Sequence, residues 1–139
     1  MSEITVRPGT DSDLAPVGQI QAASPEAAQW PVLEYLQYDL VVAECDLSIA
    51  GFGVARRLVE GESELLNLAV DPAFRGRGIG RRLAAELISR HSGVLWLEVR
   101  ETNVIARNLY KSLGFNEIGY RPDYYLDSSE GAIVMNVHS

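Results

Sequence analysis

Between Val70 and Ile79 the hydrophobic period of this chain changes. Upstream, the runs DLVVAEC, SIAGFGVARRLV and ELLNLAV are strand-like, with short polar joints at Asp46 and Gly61. Downstream, Ile79, Leu83 and Leu87, with Ala84 and Ile88, recur at helical spacing, while Arg81, Arg82, Glu86 and Arg90 face away. Asp71-Pro72 and the glycine loop RGRGIG (75–80) make the join. Strands leading through such a loop into a long amphipathic helix describe a mixed α/β layer structure.

The remaining pattern fills in that architecture. Ile4 and Val6 alternate with polar neighbours before Pro8-Gly9, a first strand and its stop. Asp11 or Ser12 can cap a helix carrying Leu14, Val17 and Ile20. Residues 24–37 predict a second helix broken at Pro31. Ser92-Gly93 ends the long helix, VLWLEV is a strand, and residues 103–113 form a helix burying Ile105, Leu109 and Leu113. Two strands, near 115–120 and 132–137, flank a loop, RPDYYLDSSEG. The order β-α-α-β-β-β-α-β-α-β-β fits a single domain over residues 1–139.

Charge narrows the function. The chain carries 19 acidic and 12 basic residues, a net charge of −7, which argues against a general nucleic-acid binder. A cationic substrate is compatible with that balance, and solubility is the preferred account of it. Cys45 is the only cysteine, so no intrachain disulfide forms. Neither a secretory leader nor a bilayer-spanning run is present, and a cytoplasmic protein with no membrane partner is expected.

Against that acidity, Arg75, Arg77, Arg81 and Arg82 crowd around Gly76, Gly78 and Gly80. The first amides of a helix lack internal partners, and glycines let the backbone approach a ligand closely. Such a loop binds phosphate, with arginines adding charge-assisted bonds; the alternative is a glycine-rich turn before a solvated basic helix. A dinucleotide site is a poor fit, since three strands precede the loop and the spacing is not G-x-G-x-x-G. With no G-K-[ST], a P-loop is excluded.

VDPAFRGRGIGRRLAAELI resembles motif A of the GCN5-related N-acetyltransferase (GNAT) family, [Q/R]-x-x-G-x-[G/A], filled by Arg75, Gly78 and Gly80. The run LWLEVRETNVIARNLYKSLGFNEIGYRPDYY is similar to the C-terminal half of the ribosomal-protein-alanine type of that family. The resemblance covers residues 64–137, and L-E-V-R-x-x-N with L-Y-x-x-L-G-F makes it specific. It implies a mixed, mostly antiparallel central sheet of about seven strands with about four helices, splayed between strands 4 and 5. It also implies acetyl-CoA as co-substrate, with pyrophosphate on the amides of Arg75, Gly76, Arg77, Gly78, Ile79 and Gly80, and no metal.

Alternation puts Glu98 on one face of its strand with Val94 and Trp96, a lone carboxylate in a segment built for burial. Burial would raise its pKa toward that of a general base; pairing with an arginine is the other reading. The resemblance implies the base, and for Tyr110, otherwise a residue at the core's edge, the acid that protonates the leaving thiolate. Asn103 caps its helix, lies beside pantetheine, or does both; Arg107 reaches the cofactor's phosphates or stays solvated. Leu68 and Val70 would hold pantetheine by main-chain bonds, Asn67 would touch the acceptor, and Tyr124 and Tyr125 would close over a peptide. The segment ASPEAAQWPVLEYLQ departs from the family pattern, lacking Phe-Pro-Trp, which puts the acceptor in doubt.

Three functions follow. The first is acetyl transfer to a protein N-terminus, an alanine for preference. The second keeps the donor but takes a polyamine, amino acid or drug-like amine, favoured by Glu34, Asp39, Glu44, Asp46, Glu60, Glu62 and Glu64. The third is a non-catalytic acyl-CoA sensor. Cys45 receives no nucleophilic role, and oligomeric state is left open.

Overall fold

The computed structural model describes residues 3–125 and 127–139; Met1, Ser2 and Leu126, the last within the expected RPDYYLDSSEG loop, lie outside the described residues. Seven strands form one sheet: β1 (Ile4–Pro8), β2 (Asp39–Cys45), β3 (Ser48–Val59), β4 (Glu62–Val70), β5 (Val94–Arg100), β6 (Asn116–Tyr125) and β7 (Glu130–His138). Three α-helices accompany them: α1 (Leu14–Ala22), α2 (Ile79–Arg90) and α3 (Val104–Ser112). Residues 24–31 are irregular, and Val32–Gln37 forms a 3-10 helix. Pro31 is extended at its start, so the expected second helix is reduced to this tighter segment. No helix among the described residues is long and apolar enough to cross a membrane.

The sheet order is β1-β2-β3-β4-β5-β7-β6, antiparallel throughout except for β4 beside β5. Strand alternation feeds two cores. Val41, Ala43 and Leu97 meet Ile79, Leu83 and Leu87 of α2 on one face, and Leu40, Val42, Phe52 and Val54 meet Val17 and Ile20 of α1 on the other. The helical stripe expected on α2 is therefore its buried side.

The expected loop between the last strands is mostly a hairpin. Tyr120 pairs with Ile133, Arg121 with Ala132 and Tyr125 with Glu130. Pro122, which made this stretch read as loop, is tolerated because β6 is the edge strand.

One break in the sheet positions the site. β4 and β5 pair only at Glu62↔Val94, Ser63↔Leu95 and Glu64↔Trp96. Just beyond, the β3–β4 register slips past Leu66, since Ala55 pairs with Leu65 and Val54 with Asn67. A bulge bends its strand. β4 then continues with β3 while β5 stays with β7, and the sheet opens into a cleft.

Candidate functional site

The cleft exposes backbone that an unbroken sheet would consume. Asp71 donates its N–H to the Ala50 carbonyl at 2.8 Å, so ladder alternation turns the peptide groups of Leu68 and Val70 away from β3 and into the opening. The Leu68 N–H donates to Asn67 Oδ1 at 3.0 Å, leaving its carbonyl and the Val70 peptide group as the ligand-facing edge. Asn67 itself is buried. Its Nδ2 donates to Ala28 O (2.8 Å), Tyr35 Oη (3.0 Å) and Gln21 Oε1 (3.1 Å), and its Oδ1 accepts from Ala28 N–H (3.3 Å). Burial demands that every atom of the amide be satisfied, and Asn67, expected to touch the acceptor, is held in this network while also lining the second cavity described below.

At the open end, the glycine loop leads into α2. Gly76 and Gly78 have φ of +81° and +76°, and a Cβ on either would meet nothing within 4 Å. Glycine is needed there for backbone conformation, and the space in front is free. That space is a cavity of about 680 Å³ against Leu68, Val70, Arg75, Gly76, Gly78, Ile79, Gly80 and Asn103. Phe74, Ile105, Ala106 and Leu109 add apolar wall. The first-turn amides of α2 and its positive dipole end suit a pyrophosphate, and the apolar wall suits a pantetheine chain. Replacing Gly78 with Ala forces a Cβ into the left-handed region at about 1–2 kcal/mol. Calorimetric titration is expected to show acetyl-CoA binding weakened about tenfold, equivalent to about 1.4 kcal/mol.

The arginines divide. Arg75 lines the cavity but is half exposed and pairs with Glu26 at 3.0 Å, a contact weak enough to exchange for phosphate. Arg81, another of the four arginines gathered at the loop, also lines it and donates to the Ser112 hydroxyl. Arg77 lies over the Phe74 ring at 5.2 Å, and Arg82 donates to the Ile4 carbonyl. Neither lines the cavity, so Arg77 and Arg82 brace the loop and helix.

Beside this lies a second cavity, about 570 Å³, walled by Pro25–Gln29, Asn67, Glu98, Arg100, Tyr124 and Tyr125. Glu98 projects from the half-buried face of β5, as the alternation predicts, with its side chain 18 % exposed. Its Oε2 is buried and accepts no hydrogen bond; Arg121 Nε lies 3.3 Å away, in ion-pair range. Burial pushes the Glu98 carboxyl above its usual pKa, Arg121 opposes this, Glu64 adds to it, and the Tyr124 hydroxyl opposes it. Both readings of Glu98 thus meet in one group, which is desolvated and also faces an arginine.

The two cavities meet at Glu26, Leu68, Asn103, Ala106 and Tyr110. Tyr110 is 6 % exposed, packs its ring 5.4 Å from that of Phe115, and is held protonated at neutral pH by burial. Asn103 caps α3, its Oδ1 accepting from Ala106 N–H at 3.2 Å, and lines both cavities. Arg107 lines neither. Its guanidinium donates to Glu117 (2.8 Å) and to the Glu101 carbonyl (2.6 Å). The core stripe expected on α3 holds at Leu113, which packs on the core, and is corrected at Ile105 and Leu109, which line the cavity. Ile105 is 86 % exposed beside the first cavity, while Ala106 and Tyr110 face the core. Periodicity identifies an apolar face but not whether protein or ligand covers it.

Tyr124 and Tyr125 end β6 with rings edge to face at 5.0 Å. Arg121 lies 5.7 Å from the first ring and Arg100 4.1 Å from the second. Arg100 also bonds Asp127 at 2.8 and 3.1 Å, pinning the hairpin tip over the cavity. Arg100, Arg121, Gln21 and Tyr35 were not anticipated. Gln21 left one trace, a polar residue four after Val17 and seven after Leu14 on an apolar stripe.

The Acetyltransferase (GNAT) family pattern matches residues 12–115. A [Ribosomal protein bS18]-alanine N-acetyltransferase of Haemophilus ducreyi is 38% identical over 120 residues, spanning 81% of this chain and 77% of that one. The crystal structure of the ribosomal-protein-S18-alanine N-acetyltransferase from Escherichia coli superposes with a TM-score of 0.83 at 32% identity, covering 97% of this chain and 93% of that one. Ard1 from Thermoplasma volcanium gives 0.87 at 28%, covering 98% and 99%. The chain belongs to the acetyltransferase (GNAT) family.

Proposed function

We propose that this GNAT acetyltransferase, acting as one catalytic domain over residues 1–139, moves an acetyl group from acetyl-CoA to the α-amino group of a protein N-terminus. The observation that carries it is the meeting of two cavities at Tyr110 and Asn103, with a desolvated carboxylate on one side and a glycine-loop cradle on the other. Acetyl-CoA supplies a thioester as the electrophile and a thiolate as the leaving group. Glu98 takes a proton from the acceptor ammonium, directly or through water, and its raised pKa makes that transfer effective near neutrality. The Tyr110 hydroxyl donates a proton to the departing sulfur. The Val70 peptide group holds the donor by its backbone, and Tyr124 and Tyr125 clamp the acceptor chain. The relatives named for alanine N-acetylation support a peptide acceptor. Relatives named for acetylating a ribosomal protein support a cytosolic setting.

The small-amine reading loses its sequence support. None of the seven acidic residues between 34 and 64 lines the acceptor cavity. Asp39 bonds Arg90 and His91, Glu44 bonds Arg7, Glu62 bonds Trp96 and Glu64 bonds Arg56. Intact-mass analysis with acetyl-CoA and two competing peptides tests the proposal. One peptide begins with free Ala-Arg; the other has a blocked N-terminus and internal lysines. Gain of one acetyl group on the first alone is the expected result, and gain on neither overturns the acceptor assignment. Tyr110→Phe keeps the ring packing and is expected to lower kcat at least about tenfold, with both KM values little changed.

A further inference from the structure

The wall of the acceptor cavity over Pro25–Gln29 has no regular secondary structure, yet side-chain amides bond its backbone. Asn67 makes a two-point contact with the peptide group pair of Ala28, donating from Nδ2 to its carbonyl and accepting at Oδ1 from its N–H. A side-chain amide there does what a neighbouring strand would do. Behind it, Tyr35 Oη donates to Gln21 Oε1, while Asn67 Nδ2 donates to both. Gln21 Nε2 then donates to the Trp30 carbonyl at 2.6 Å, and Gln29 Nε2 donates to the carbonyls of Gln21, Ser24 and Ala27. Tyr35 is fully buried, and Gln21 and Asn67 nearly so.

The three residues come from α1, the 3-10 segment and β4, which also pack together through Val17, Ile20, Val32 and Leu66. Asn67 also sits on β4 immediately past the bulge, and its Oδ1 accepts the Leu68 N–H. One side chain therefore registers the acceptor wall against the strand edge that faces the donor. Buried polar networks of this kind rigidify when fully satisfied.

We propose that Asn67, Gln21 and Tyr35 form a positioning clamp that fixes the Pro25–Gln29 wall and so sets how tightly the acceptor is held, without taking part in the proton transfers. The proposal rests on reading this cavity as the acceptor side of the acetyltransferase. Tyr35 touches neither cavity, and Tyr35→Phe deletes one hydroxyl while keeping the ring 5.8 Å from that of Phe52. Expected for Tyr35→Phe is a rise of about fivefold or more in KM for the Ala-Arg peptide, with KM for acetyl-CoA within about twofold. Asn67→Ala removes the two-point contact and is expected to raise the acceptor KM further.

Amide hydrogen exchange on the protein without ligands supplies a readout independent of turnover. The Ala28 N–H should exchange at least about tenfold faster in both variants, with β5 amides unchanged. Unaltered exchange at Ala28, or equal rises in the two KM values, would overturn the clamp. Should the wild-type chain acetylate neither peptide, the functional reading fails while the exchange comparison still decides whether the clamp exists.

Discussion

Glu98→Gln is expected to lower kcat/KM about a hundredfold at neutral pH, within the usual range for loss of a general base. Three features favour so large an effect. The carboxylate is the titratable group in the acceptor cavity that is both desolvated and without a hydrogen bond on Oε2. Glutamine preserves its shape, so the acceptor pocket survives. Arg121, 59 % exposed, cannot replace it, since a guanidinium does not accept protons.

The pH dependence carries the same signature. The active form is the carboxylate, so the wild-type rate falls as pH drops through the folded pKa of Glu98. Burial places that limb above the ordinary carboxylate value near 4.3. The glutamine variant should lose this limb. Stability runs the other way. A carboxyl whose folded pKa is raised binds its proton more tightly in the folded state. Its stabilising contribution is present below the unfolded pKa and is lost as pH rises through the folded one. At neutral pH the ionised group therefore weighs against folding, and Glu98→Gln should unfold at a higher temperature than wild type. An inactive but more stable variant would identify Glu98 as a functional residue maintained at the expense of stability. An active variant would remove it from the mechanism.

Local pattern carried the reading of the sequence as far as its physics allows. Alternation along VLWLEVR placed Glu98 on the correct face because a strand's period is strict. The α2 stripe was readable for the same reason, as were Gly76 and Gly78, whose φ values few other residues adopt. Partners brought from distant strands were not readable. Arg121 and Tyr124 reach Glu98 only because β6 folds back along β7, which lies against β5. Asn67 read only as an acceptor contact, because its structural partners Gln21 and Tyr35 are 46 and 32 positions away. Arg107 read as a phosphate ligand or a solvated side chain because its salt partner, Glu117, lies across the turn that ends α3. In each case the missing information was a partner supplied by the fold, and it concerned a polar side chain whose surroundings are set by what it meets.

Gly93→Ala is expected to destabilise the fold by at least about 3 kcal/mol, lowering the thermal midpoint by roughly 10 °C. Gly93 has φ of +100°, and a Cβ there would stand 2.2 Å from the Gly61 carbonyl oxygen. That atom is backbone and cannot swing aside. The same carbonyl accepts the Val94 N–H at 2.9 Å, the bond that opens the parallel pairing of β4 with β5. Gly93 also exchanges bonds with Ser139, its N–H donating at 3.1 Å and its carbonyl accepting at 2.9 Å. Substitution therefore strikes both the joint between the halves of the sheet and the end of β7. Because β4 and β5 share only three residue pairs, a shift at Gly93 leaves little to hold the angle of the cleft. Acetyl-CoA affinity should fall along with stability, although Gly93 lines neither cavity. Titration well below the lowered midpoint separates the two effects. Normal affinity there would mean that the bulge at Leu66 sets the opening alone; weakened affinity would assign part of that geometry to the short parallel joint.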